Sequence, residues 1–143
     1  MTDKAMPKPG PNASPVSAPF WENARNHRLT LQYCDDCQRW VFYPRARCPY
    51  CWSDALSWRD ASGEGTVAAR IIVHKPGHPA FLEDVPYVVA LIDLAEGPRM
   101  LSNVVDCHPD AVEVGMPVRL RWTERENLTL PTFAPAGAKE AQQ

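Results

Sequence analysis

The sequence predicts a mainly β protein: a short N-terminal helix, a cysteine-held block, then a five-stranded barrel. Three observations carry this. Fifteen prolines in 143 residues are about twice the average usage and break the interior of any long helix, which excludes a helical bundle or coiled coil. Five short runs rich in Val, Ile and Leu lie beyond residue 59, separated by Gly-, Pro- or acid-rich turns; this is the pattern of strands. Four of the five cysteines fall in two tight pairs.

Residues 1–19 hold five of the prolines together with Gly10 and several small residues, and read as an extended or disordered leader. A helix is expected from Pro19 to His27, with Ser17 or Ala18 as its cap and proline tolerated in the first turn. Phe20 and Ala24 share one face of it, with Trp21 beside them. A strand through Leu29, Leu31 and Tyr33 follows. The later candidates are Thr66 to His74, Tyr87 to Leu94, Met100 to Val105, Pro117 to Trp122, and Asn127 to Phe133. Pro117 must open its strand, because it cannot donate to a ladder. Gly63 and Gly65 can supply a bulge or tight turn before the first of them. Five strands in so few residues fit a small closed or half-closed barrel. No long amphipathic helix separates them, so a parallel α/β sheet is excluded. The expected organisation is a leader (1–19), a helix and cysteine block (20–58), a barrel (59–133) and a flexible tail (134–143). An apolar content of 45% excludes full disorder.

The cysteine pairs are Cys34-Asp35-Asp36-Cys37 and Cys48-Pro49-Tyr50-Cys51. Two such hooks bring four soft thiolates to tetrahedral positions around one metal ion. Zinc is the default occupant, and iron suits the same sulfur cage by ligand type. Four protein ligands leave no open position, so the site holds structure and performs no Lewis-acid chemistry. Metal binding also explains how so small a block folds, since it supplies folding free energy. Residues 1–19 contain no apolar stretch resembling a secretory signal, which argues against disulfides and for a soluble, cytoplasmic protein. Gln38 and Trp52 stand where a glycine often follows the second cysteine of a hook. Cys107, next to His108, reads as a bystander, because adjacent residues of an extended chain point to opposite faces.

The formal charge of -2 is uneven: +2 for Phe20 to Arg59 and -5 for Asp60 to Phe133. A non-specific nucleic-acid binder needs a concentrated basic surface, and the barrel block opposes it. No apolar run is long enough to span a membrane. Gly-x-Ser-x-Gly, His-Glu-x-x-His and a phosphate-binding Gly-rich run are all absent. Glu83, Asp84, Asp93 and Glu96 read as solvated loop and turn residues. His74, Lys75, His78 and Phe81 fall on a Pro- and Gly-punctuated loop that could line a ligand groove or a partner interface. Trp21 and Trp40 belong to an aromatic set, with Trp52, Trp58, Trp122, Tyr33, Phe42, Tyr43 and Tyr50, that exceeds what one small metal module buries. The surplus points to interface anchors.

These residues carry a family resemblance. Phe20-Trp21-Glu22, Leu31-Gln32-Tyr33-Cys34-Asp35-Asp36-Cys37, Tyr43-Pro44-Arg45 and Cys48-Pro49-Tyr50-Cys51 with Trp58 open it. Gly63-Glu64-Gly65-Thr66-Val67, Val73-His74, Pro86 to Ile92, Glu96-Gly97-Pro98-Arg99, Val114 to Val118 and Leu130 to Pro135 complete it. The chain resembles the DUF35-type zinc-ribbon/OB-fold accessory proteins of acyl-CoA metabolism. The resemblance implies a rubredoxin-like zinc ribbon, with one structural Zn2+ per chain held by Cys34, Cys37, Cys48 and Cys51, followed by an OB-fold barrel. It implies no catalytic residue in this chain. The expected role is the small subunit of a heteromeric thiolase acting on aromatic or steroid-derived acyl-CoA. The thiolase-like partner holds the nucleophile that performs CoA-dependent cleavage of a 3-oxoacyl-CoA. CoA or acyl-CoA is then a ligand shared with the complex. A hydratase or thiolase-like aldolase partner is the first alternative, and a stand-alone nucleic-acid binder the second.

Overall fold

The computed structural model describes residues 14–76, 79–125 and 128–136. Helix α1 (Ala18–Arg25) follows Ser17 as its N-cap and carries Pro19 in its first turn. It buries Phe20 and Ala24, the pair that the four-residue spacing places on one face. The chain leaves it through His27 at φ +59°. The Asn23 amide then donates to the Thr30 hydroxyl at 3.1 Å, tying helix to strand.

Strand β1 (Thr30–Cys34) is the centre of a three-stranded antiparallel sheet in the order β2-β1-β3, with β2 at Arg39–Val41 and β3 at Leu56–Asp60. Gln32 lies opposite Val41 on one side and Trp58 on the other. The outer two strands are not among those expected from sequence. One is three residues long, and the other, Leu-Ser-Trp-Arg-Asp, has no buried face. They exist because β1 supplies a ladder on both edges.

The remaining strands are β4 (Glu64–Val73), β5 (Tyr87–Leu94), β6 (Arg99–Val104), β7 (Pro117–Arg125) and β8 (Leu128–Pro135). They close a barrel in the order β4-β5-β6-β8-β7, with β7 returning to β4. All five expected barrel strands are present, and Pro117 opens β7. The pairing of β6 with β8 is parallel and short: Val104 opposite Phe133, followed by a bond from the Val105 N–H to the Phe133 carbonyl at 2.7 Å. This five-stranded closure is the OB-type topology.

Alternation along β5 sends Val88, Ala90, Ile92 and Leu94 inward, as a strand period of two requires. They meet Val67, Met100, Val104, Val112, Val118 and Phe133. Leu31 of β1 is fully buried in this same cluster, so sheet and barrel share one core. Gly65 permits the close approach of β4 to β5: a Cβ there would lie 2.7 Å from the Asp93 carbonyl oxygen. The irregularity expected near this glycine falls slightly later, as a bulge between Val67 and Ala69. Two of the acids read as solvated have definite partners. Asp93 accepts from Arg99 Nε at 2.6 Å, and Glu96 accepts from the Ser62 backbone N–H at 2.7 Å. Among the described residues no helix is long and apolar enough to cross a membrane.

Candidate metal centre and barrel groove

The turn after β1 and the turn before β3 bring Cys34, Cys37, Cys48 and Cys51 together, with all four sulfurs within 4.8 Å of one another. The Cys34–Cys51 and Cys37–Cys48 sulfur pairs are 3.6 Å apart. A tetrahedron with Zn–S bonds of about 2.3 Å has sulfurs about 3.8 Å apart, so the cage fits zinc.

Both hooks share one backbone design. The Gln38 N–H donates to the Cys34 carbonyl and the Trp52 N–H to the Cys48 carbonyl, each at 2.8 Å. Gln38 and Trp52 both take a left-handed conformation, at φ +59° and +65°. That is the conformation for which a glycine often serves, and here two bulky residues adopt it. Backbone N–H groups also point at sulfur: Cys37 N–H to Cys34 Sγ at 3.5 Å and Tyr50 N–H to Cys48 Sγ at 3.3 Å. Burial and the neighbouring thiols push the Cys37 pKa up to about 12. Burial opposes ionisation of Cys48 too, but the Tyr50 and Cys51 N–H groups outweigh it and draw that thiol down to about 7. The cluster is consistent with a structural, rubredoxin-like zinc site. Zinc there would neutralise thiolates that burial otherwise disfavours.

A second feature crosses the barrel. Because β6 and β8 pair at one position, a seam opens beside them. Two adjoining cavities of about 440 and 700 Å³ lie along it and share Leu101, Ser102, Asn103, Leu130 and Thr132. Phe20, Trp21, Phe42 and Tyr43 wall one end, and Phe81 and Tyr87 the other. The Ser102 hydroxyl donates to the Pro131 carbonyl at 2.8 Å, and the Tyr43 hydroxyl accepts from the Leu101 N–H at 3.4 Å. Side chains thus stand in for missing ladder bonds. Among the described residues the lining includes Asp84 and Glu124 but no lysine or arginine.

The residues expected to contact a ligand or partner do not converge. Trp21 and Phe81 wall opposite ends of the groove. His74 and Lys75 are exposed just beyond β4 and line neither cavity. Trp40 is half-buried, edge-on to Tyr33 and packed against the barrel core. His78 lies outside the described residues. Cys107 is half-buried, and burial raises its pKa, while His108 Nδ1 accepts from the Asp110 N–H at 3.1 Å. The sequence did not single out Leu101 or Leu130 for the groove. Leu101 was detectable as an outward position of an alternating strand, but nothing in the sequence told which outward face bears a cavity.

A four-cysteine ribbon packed on a closed five-stranded barrel defines a zinc-ribbon/OB-fold protein. Residues 21–57 match the family described as the ChsH2 rubredoxin-like zinc ribbon domain, and residues 58–123 match the ChsH2 C-terminal OB-fold domain. A solved structure described as an Ltp2-ChsH2(DUF35) aldolase contains a chain 42% identical to this one. The superposition has a TM-score of 0.81 and covers 89% of this chain and 99% of that one. The chain belongs to the DUF35 family. A probable enoyl-CoA hydratase alpha subunit of Thermomonospora curvata is 42% identical over 134 residues, which are 93% of this chain and 41% of that protein. The 3-oxo-4,17-pregnadiene-20-carboxyl-CoA hydratase alpha subunit of Mycobacterium tuberculosis is 32% identical over 128 residues, 87% of this chain and 39% of that protein. The chain thus spans about two fifths of the length of these curated relatives.

Proposed function

We propose that this chain is a non-catalytic accessory subunit for a catalytic chain that processes acyl-CoA by hydration or by aldol-type carbon–carbon cleavage. The observation that carries this is the likeness to a chain of an aldolase structure along 99% of that chain's length. The names of the two hydratase relatives support the same class of partner. The resemblance read from sequence put a thiolase first; the similar proteins favour its hydratase or aldolase alternative. The zinc site supports a structural role, because four cysteine ligands leave no coordination position for substrate. A nucleic-acid role finds little support in the groove, where Asp84 and Glu124 would repel phosphates.

The test is purification of the complex from the native source, identification of the partner by mass spectrometry, and a zinc assay. Enoyl-CoA hydration, cleavage of a 3-hydroxyacyl-CoA and thiolysis of a 3-oxoacyl-CoA are then measured for the complex and for each chain. The expected result is one of the first two activities in the complex and none from this chain alone. Turnover by this chain alone, or recovery of nucleic acid without an acyl-CoA enzyme, overturns the reading.

A further inference from the structure

We infer that the second zinc knuckle, Cys48 to Trp52 with Arg39 and Arg47 at its flanks, is the anchor that docks the catalytic partner, and that the partner presents an apolar pocket rimmed by carboxylates. This rests on the accessory-subunit reading above. Trp52 is 72% exposed and Tyr50 57%, so neither serves the core. Turn geometry does not demand an aromatic either. The equivalent left-handed position of the first knuckle holds Gln38. A tryptophan stands at a backbone position where a side chain is already disfavoured, with its indole turned to solvent.

The two arginines build the rest of the surface. The Arg39 guanidinium lies 4.7 Å from the Tyr50 ring centroid, and Arg47 Nη1 donates to the Trp52 carbonyl at 3.1 Å. A zinc–tetrathiolate cage carries net negative charge and would by itself attract cations. Yet one arginine lies on a ring and the other donates to a carbonyl, and among the described residues neither donates to sulfur. Among the described residues neither forms an ion pair with a carboxylate. Trp, Tyr and Arg are the residues that dominate interface energetics. The metal fixes the knuckle at its base, so little freedom is lost on binding. Two cations with no carboxylate partner among the described residues call for an acidic rim on the partner. An aromatic and arginine surface could also stack on bases, but the barrel block's charge of -5 disfavours a phosphate backbone.

The test uses Trp52→Gln, which copies the residue of the first knuckle, and Tyr50→Ser, which leaves the left-handed position untouched. A third variant, Arg39→Glu with Arg47→Glu, reverses the charge. The probe is the catalytic chain that co-purifies with the wild-type protein, identified and then expressed alone. Affinity is read by titration calorimetry and zinc content in parallel. Trp52→Gln should bind about tenfold or more weakly, and the charge reversal should slow association and flatten its salt dependence, with zinc retained in each. Wild-type affinity in both Trp52→Gln and Tyr50→Ser overturns this inference alone. Failure of the wild-type chain to bring down any acyl-CoA enzyme overturns the accessory reading and the inference together. Nucleic acid retained by the wild type and lost on charge reversal would overturn both and reassign the surface.

Discussion

The imidazole of His27 lies parallel to the indole of Trp122, with ring centroids 5.4 Å apart and planes inclined by 13°. His27 leaves α1 in a left-handed conformation, and Trp122 sits on β7 opposite Pro131 of β8. The same imidazole reaches Glu124 with Nε2 2.5 Å from a carboxylate oxygen. A turn in the ribbon half of the chain is thereby latched to β7 of the barrel. Leu31 does the same from inside.

Loss of the stack should be measurable. His27→Ala removes an aromatic contact worth about 1 kcal/mol, which should lower the melting temperature by roughly 3–5 °C in a domain of this size. His27→Asn suits the left-handed backbone better than alanine but cannot stack, so it should recover only a minor part of the loss. Thermal unfolding followed by circular dichroism decides it. Equal melting temperatures for wild type and both variants would show that the stack carries no stability.

The carboxylates set the acid limb. The His27 bond, with the Thr129 hydroxyl, holds Glu124 below its ordinary pKa, and the Arg99 bond does the same for Asp93. A carboxylate depressed in the folded state contributes stability above its unfolded pKa and loses it as pH falls through the folded value. Stability should therefore decline as pH drops below about 4.5. Glu124→Gln and Asp93→Asn should each lower stability at neutral pH and make that decline shallower, so that variant and wild type converge in acid. Urea unfolding across pH 3 to 7 measures it, and an unchanged slope in both variants counts against the assignment.

The barrel strands could be read from sequence because each alternates or runs apolar between Gly and Pro punctuation, as Tyr87–Leu94 does. The cysteines could be read because two hooks have one economical use. Arg39–Val41 and Leu56–Asp60 could not, since their only reason to extend is the neighbour they pair with. The groove was hidden for a related reason. It arises where β6 and β8 meet at a single pair, and its walls come from Trp21, Tyr43, Phe81, Leu101 and Leu130, residues far apart in the chain. Nor does composition reveal which aromatics are surplus: Trp40 packs against the core while Trp52 faces solvent.

Leu31 tests whether ribbon and barrel unfold as one unit. It is a ribbon residue buried completely in the barrel cluster. Leu31→Ala should cost about 2–5 kcal/mol, the range for truncating a fully buried leucine. The loss should appear in a single calorimetric transition. Two separated transitions in the wild type would mean that the halves fold independently and would refute the shared core.

Gly65 tests the approach of β4 to β5. An added Cβ would meet both the Asp93 carbonyl oxygen and Ile92 Cγ2 at 2.7 Å. Backbone cannot yield as a flexible side chain can, so Gly65→Ala should destabilise by about 1–3 kcal/mol, the usual cost of overpacking. Denaturant unfolding reads this directly, and a neutral substitution would show that the strands separate there without cost.

Removing the metal should act through the same shared core. Cys34 and Cys48 are fully buried, in a small cluster with Val41 as its apolar core residue. Such a cluster cannot hold two reverse turns by hydrophobic burial alone, because structural zinc supplies much of the folding free energy of modules this small. Cys34→Ser should therefore lower bound zinc from one per chain towards none and loosen β1 and its two neighbours. Since Leu31 lies on β1 and in the barrel core, the barrel should melt at lower temperature as well. Chelation of the wild-type protein should reproduce the effect, and restored zinc should reverse it. Acidification should mimic chelation: the ligands bind as thiolates, Cys37 unliganded gives up its proton only near pH 12, and protons compete with zinc as pH falls. Metal analysis, melting temperature and amide exchange of β1 at graded pH measure all three. Full zinc occupancy in Cys34→Ser, or an unchanged melting temperature after complete zinc removal, would dismiss the metal as the source of the ribbon's stability.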